Sequence, residues 1–123
     1  MRTGDISEVR GLPLFRDMSD ENFETLIRGG YVQTFPPQVQ LITEGDHSDF
    51  LHIVTDGSVE LIAEWNGRET MMATVRPIST FILAATIRDA PYLMSARTVE
   101  KTRLVLLRWR YSPATYRARQ FGS

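Results

Sequence analysis

A mainly β fold is what this sequence predicts: a jelly roll, or double-stranded β-helix of cupin-like type, with flanking N-terminal helices and a short internal helix. Three observations carry the prediction. Short apolar runs from Tyr31 onward are divided by turn residues at the spacing of a sandwich or closed roll. Asp56-Gly57 and Asn66-Gly67 stand between such runs, and these dipeptides are the strongest short-range hairpin signals, because a type I′ turn needs positive φ at both central residues. Helical periodicity, by contrast, is confined to the N-terminal quarter of the chain.

The helical part reads clearly. Ser19 is a good N-cap, and Asp20 and Glu21 follow it where the positive helix end favours carboxylates. Phe23, Leu26 and Ile27 then fall at i, i+3 and i+4 and make one apolar face. Gly29-Gly30 ends the helix, with glycine expected in the left-handed C′ conformation. Upstream, Leu12-Pro13-Leu14-Phe15 is an apolar lead-in able to pack beneath it.

Seven strands are expected: Tyr31–Phe35, Gln40–Thr43, Phe50–Thr55, Ser58–Trp65, Glu69–Val75, Leu93–Glu100 and Arg103–Trp109. The separators are Pro36-Pro37, Glu44-Gly45-Asp46, Asp56-Gly57, Asn66-Gly67 and Arg76-Pro77. The segment Ser79–Asp89 breaks this rhythm. Phe81-Ile82-Leu83-Ala84-Ala85 contains no turn residue and reads as one or two turns of buried helix inside a β fold, a natural place for a pocket.

Composition narrows the class. The chain has 123 residues, 42% of them hydrophobic and 24% charged, ordinary values for one globular domain. It has no cysteine, which excludes disulfides, thiolate zinc sites, iron–sulfur clusters and a cysteine nucleophile, and suits a reducing cytoplasm. No apolar run approaches the ~20 residues of a membrane span, and no signal core follows Met1-Arg2-Thr3-Gly4-Asp5. The expectation is therefore a cytoplasmic protein without a membrane partner. Net charge is −1, but residues 1–60 carry 11 acids against 4 bases and residues 61–123 carry 4 acids against 10 bases. This asymmetry is either drift along one fold or a basic end that meets nucleic acid or a partner.

The stretch LPLFRDMSDENFETLIRGG, followed by ITEGDHSDFLHIVTDGSVELI, resembles cyclic-nucleotide-binding domains, and most of all the sensory domain of Crp/Fnr-type bacterial transcription regulators. The shared pattern is a helical pair, a Gly-Asp turn at Gly45-Asp46, a strand, a Gly turn at Gly57 and a further strand, over roughly residues 12–107. Gly45 and Gly57 suit sharp roll corners where positive φ would strain any other residue, and Asp46 can cap its own turn. The resemblance implies a ligand-sensing regulatory domain, not an enzyme, with a small-molecule effector. It also allows a homodimer and implies contact with DNA only through a separate C-terminal domain.

In that family, as the resemblance implies, a Phe-Gly-Glu-Leu segment and a following Arg-Ser/Thr-Ala hold the cyclic phosphate and ribose. Helix N–H groups and a forked arginine suit an anion. Laid on that pattern, Phe81 matches the phenylalanine, the Gly-Glu pair falls on Ile82-Leu83, and the arginine falls on Tyr92, followed by Leu93 and Met94. Every polar contact is replaced by an apolar or aromatic side chain. The cassette reads as degenerate, which argues against cyclic AMP. The candidate ligand-binding set is then apolar: Leu61, Phe81, Ile82, Leu83, Tyr92 and Leu93, able to take an acyl group, an aromatic effector or haem, or simply to fill the roll. An alternative phosphate site would use Arg88 or Arg97. Arg97 stands five positions past Tyr92, however, so in a strand it points to the opposite face.

Other chemistry is thinly represented. His47, in the turn, reads as exposed, and His52, inside a strand, reads as a packing residue with one hydrogen bond. Either is an available haem ligand, but together they make no metal motif. A cupin-like metalloenzyme would place several histidines and a glutamate on facing strands, so no metal is expected, and neither haem nor cyclic nucleotide is supported as a cofactor. No serine sits in a nucleophile elbow and no carboxylates are paired. Two regions are expected: a cyclic-nucleotide-binding-like sensory domain over 1–107 and a basic tail over 108–123. The tail carries four arginines and no acid, with Pro113 interrupting any helix and no room for a helix-turn-helix. Three readings of it stay open: a reading frame cut short after Leu107, a chain ended there deliberately, or a genuine basic arm.

Overall fold

The computed structural model describes residues 3–47, 50–81 and 91–108. Helix α1 (Thr3–Arg10) leads through a 3₁₀ turn (Pro13–Phe15) to α2 (Asp20–Arg28), and eight strands follow. They are β1 (Tyr31–Phe35), β2 (Gln40–Ile42), β3 (Phe50–Asp56), β4 (Val59–Trp65), β5 (Arg68–Val75), β6 (Ser79–Thr80), β7 (Ser95–Thr98) and β8 (Thr102–Arg108). They form two four-stranded antiparallel sheets, ordered β1-β8-β3-β6 and β2-β7-β4-β5. This is the expected mainly β roll, each anticipated strand falling within one or two residues of its place. The two-residue β6, which pairs Ser79 with Val54 and Thr80 with Ile53, carried no sequence signal.

The first sheet is covered on both sides. One face of β3 and β8 presents Leu51, Ile53, Val105 and Leu107 to the helices, where they pack with Val9, Phe15, Phe23 and Leu26. The other face presents Val54, Leu104 and Leu106 to the second sheet, where they meet Ile42, Val59, Leu61, Phe81, Tyr92 and Ala96. A strand buried on both faces reads as a continuous apolar run, as Leu104-Val105-Leu106-Leu107 does. The helices are tied down by the expected devices. Asn22 N–H donates to Ser19 Oγ at 3.1 Å, and the rings of Phe15 and Phe23 meet edge-to-face at 5.5 Å.

Three expectations need correction. Asp56-Gly57 is not a hairpin turn: β3 and β4 lie in different sheets, and only Gly57 of the pair has positive φ (84°). A Cβ on Gly57 would stand 2.4 Å from the Lys101 carbonyl oxygen, so the glycine serves a close crossing between sheets. The real hairpin is β4–β5, where Asn66 (φ 53°) and Gly67 (φ 76°) both take the left-handed conformation a type I′ turn requires. Second, Gly29 caps α2 in the right-handed region rather than the left-handed one. Gly30 is needed for space, since its Cβ would lie 2.5 Å from Leu107 Cδ2. Third, β7 begins at Ser95, so Leu93 precedes it and is 81% exposed. The expected internal helix beyond Phe81 lies outside the described residues.

Candidate functional site

The site is built where the second sheet ends against the turn after β2. Gly45 takes φ 92°, which lets its N–H donate to the Tyr92 carbonyl at 2.8 Å. Tyr92 N–H donates in return to the Asp46 carbonyl at 2.9 Å. The turn is closed by Asp46 N–H on the Thr43 carbonyl (3.0 Å) and by Glu44 N–H on Ser95 Oγ (3.0 Å). Two backbone bonds thus clamp Tyr92 across the mouth of the roll, and its ring enters the apolar cluster between the sheets.

His52 reaches the same place from β3. It alternates with Leu51 and Ile53, which face the helices, so its side chain shares the roll-facing side with Val54. Its ring lies 5.3 Å from that of Phe81. Burial pushes its pKa down from 6.5 to about 4, against a weaker opposing effect from a hydrogen bond to the Phe50 backbone. The imidazole is therefore neutral at neutral pH. Leu41, Ile42 and Thr43, the turn residues Asp46 and His47, and then His52 and Tyr92 line an open pocket of about 190 Å³.

The predicted site residues divide. Leu61, Phe81 and Tyr92 are brought together in one cluster, at 8%, 3% and 2% exposure. Leu93 does not join them, because it lies on the surface before β7 starts. Ile82, Leu83 and Arg88 lie outside the described residues. Arg97 stands on the far side of β7 from the buried Ala96. Its Nε donates to Glu60 Oε1 at 3.0 Å and its Nη2 to Glu69 Oε2 at 3.3 Å. The Glu60 bond, ahead of the other influences, raises its pKa further. This guanidinium is engaged on the outer face of the sheet.

Sequence reasoning missed the role of Ile42 and of the 43–47 turn in forming the pocket. It treated His47 and His52 separately, although the turn brings both to one wall. Only the antiparallel pairing of β2 with β7 brings Tyr92 to that turn, and no local spacing encodes it. Among the described residues, no group of three His, Asp or Glu side chains converges to hold a metal ion, and no helix is long and apolar enough to cross a membrane.

The family model of the cyclic nucleotide-binding domain matches residues 32–111. No curated protein matches the chain in sequence. Among solved structures, the regulatory domain of Toxoplasma gondii PKA with cAMP superposes with a TM-score of 0.81 at 23% identity, over 96% of this chain and 45% of that one. The N-terminal domain of a transcriptional regulator from Streptomyces coelicolor A3(2) superposes with a TM-score of 0.71 at 27% identity, over 91% of this chain and 79% of that one. The sensor domain of the transcriptional regulator DNR from Pseudomonas aeruginosa gives 0.79 at 16% identity, over 95% and 77%. The chain thus spans less than half of the Toxoplasma protein but most of the two regulator domains.

Proposed function

The chain belongs to the cyclic nucleotide-binding domain family, and from that premise we propose that it is a ligand-sensing, non-catalytic regulatory domain of Crp/Fnr type whose phosphate cradle has been replaced by an apolar one. The observation that carries this reading is Tyr92. It occupies the position where the family pattern places the phosphate-binding arginine, and it is 2% exposed within a cluster of apolar side chains. A cyclic phosphate needs a charge-assisted partner there, and burying an unpaired anion against Leu61, Phe81 and Tyr92 would be costly. Arg97 does not replace the missing charge, since it is paired with Glu60 and Glu69 on the outer face.

On this reading the roll takes an uncharged, largely apolar effector. Occupancy would shift a two-state equilibrium that a separate C-terminal domain converts into DNA binding, and the domain works in the cytoplasm. Calorimetry with cyclic AMP and cyclic GMP tests it. No heat of binding is expected up to millimolar nucleotide. Micromolar binding of either one that Arg88→Ala abolishes would establish a phosphate site and overturn the reading.

A further inference from the structure

β5 closes one edge of the second sheet, and among the described residues it pairs with β4 alone. It is eight residues long, whereas the other edge strands, β1, β2 and β6, have five, three and two. None of β5 is buried: every residue is exposed except the half-buried Val75. Met71 and Met72 stand out at 62% and 57% exposure. Open N–H and C=O groups along an edge template pairing with another chain, so folded proteins guard edges with short strands, proline, lysine or a bulge. β5 carries no proline or lysine, and its only charges, Arg68 and Glu69, stand beside the Asn66-Gly67 turn. It does carry a bulge, and the position of that bulge decides which partner fits.

Ala73 pairs with Leu61 and Met71 with Ile62, so Met72 is the extra residue. Opposed residues share a face of the sheet. Val75 and Ala73 therefore lie on the roll side with Val59 and Leu61, and Thr70 lies there with Ala63. Thr74, Met71 and Glu69 lie on the outer side, where Glu69 meets Arg97.

We propose that β5 is a self-association edge that pairs antiparallel with β5 of a second copy, about a two-fold axis running through the bulge and normal to the sheet. Such an axis keeps the outer faces of the two copies on one side. Met71 then opposes Thr74 of the other copy, and Thr70 opposes Val75, each pair drawn from one face. In an unbulged strand this register would set opposite faces against each other, since a slip of one residue flips every side chain. The next opposed pair is Glu69 with Arg76, an exposed residue immediately past β5. The axis makes that pair twice, so acid meets base at both ends and no like charges are opposed. The two Met72 side chains meet at the axis. Pro77, which has no N–H, ends the ladder opposite Arg68. The product is one continuous sheet of eight strands. The inference does not depend on what the roll binds.

Sedimentation velocity of the whole chain tests it, with hydrogen exchange of the β5 amides. The dimer fraction is expected to rise with concentration up to about 1 mM, and the β5 amides to become protected in step. Met72→Lys places a guarding charge at the axis on an exposed side chain. It should leave a folded monomer whose melting temperature, measured in dilute solution, is unchanged. Glu69→Lys and Arg76→Glu each oppose like charges at two places and should weaken the dimer by about tenfold or more, and the double swap should restore it. A chain that stays monomeric at about 1 mM overturns the inference. So does a dimer that survives Met72→Lys, or a double swap that is folded but monomeric. Protection of the β5 amides that does not vary with concentration would mean that the chain's own residues 109–123 cover this edge, and it too would overturn the inference.

Discussion

The Asp5 Oδ2 carboxylate oxygen lies 2.6 Å from Arg103 Nη2, joining the first turn of α1 to the start of β8, 98 positions along the chain. Their side chains are 6% and 17% exposed. The carboxylate raises the already high pKa of Arg103. Arg103 also donates to Thr55 Oγ1 at 3.1 Å, so one guanidinium ties the N-terminal helix to both β8 and β3. Removing Asp5 leaves the guanidinium with only the attraction of Asp56 and its bond to Thr55. Asp5→Ala is expected to destabilise the domain by about 2–3 kcal/mol, measured by urea unfolding. A loss below half a kilocalorie would mean that α1 contributes little to the fold.

Gly57→Ala is expected to be more damaging than its size suggests. The residue has φ 84°, and its Cβ would meet Lys101 O at 2.4 Å and Thr102 Oγ1 at 2.7 Å. Those groups belong to a buried junction in which Thr102 Oγ1 lies within hydrogen-bond distance of two carbonyls, Glu100 at 2.8 Å and Ser58 at 3.1 Å, and donates its one proton between them. Strain and displacement together should cost on the order of 2–4 kcal/mol, seen as a much lower melting temperature. Gly67→Ala shares the positive φ but has open space around it, so it should cost only about 1 kcal/mol. Equal losses at the two positions would contradict the close-crossing account of Gly57.

His52 sets an acid limit. Its folded pKa of about 4 lies below the ordinary 6.5, so between those values the unfolded chain binds a proton that the folded one does not. Its neutral form therefore supports the fold fully above pH 6.5, and that support is lost as the pH falls toward 4, by about 3 kcal/mol in all. His52→Phe, which can still pack against Phe81, should unfold with a shallower pH dependence over this interval. Identical slopes for the two proteins would show that His52 is not buried as described.

Arg97 offers a contrasting case. Its bonds to Glu60 and Glu69 lie on a partly exposed sheet face, where such pairs contribute little and salt weakens them. Arg97→Gln should lower the melting temperature only slightly, with the difference shrinking in high salt. It should also leave the binding of any pocket ligand unchanged. A selective loss of ligand binding would place Arg97 in the site after all.

Local chemistry was legible wherever a residue's conformation depends on its immediate neighbours. The Ser19 cap, the Phe23–Leu26 face and the Asn66-Gly67 turn are of this kind, and so are the edges of most strands. Asp56-Gly57 was misread because a tight turn and a crossing between sheets call for the same glycine, and only the partners of β3 and β4 tell them apart. Leu93 was misplaced because strand composition extends two residues beyond the point where pairing with β4 begins.

The candidate site divides along the same line. That the Gly, Glu and Arg positions of the family pattern fall on Ile82, Leu83 and Tyr92 can be read from the order of the letters alone, since it concerns which chemistry stands at which position. That Tyr92 sits clamped to Gly45 and Asp46, with His47 and His52 on the same pocket wall and its own hydroxyl unpaired, follows only from antiparallel pairing between residues some 50 positions apart. Sequence determines propensity and the inventory of functional groups; contacts between distant residues arise when burial of the shared core selects one register among many.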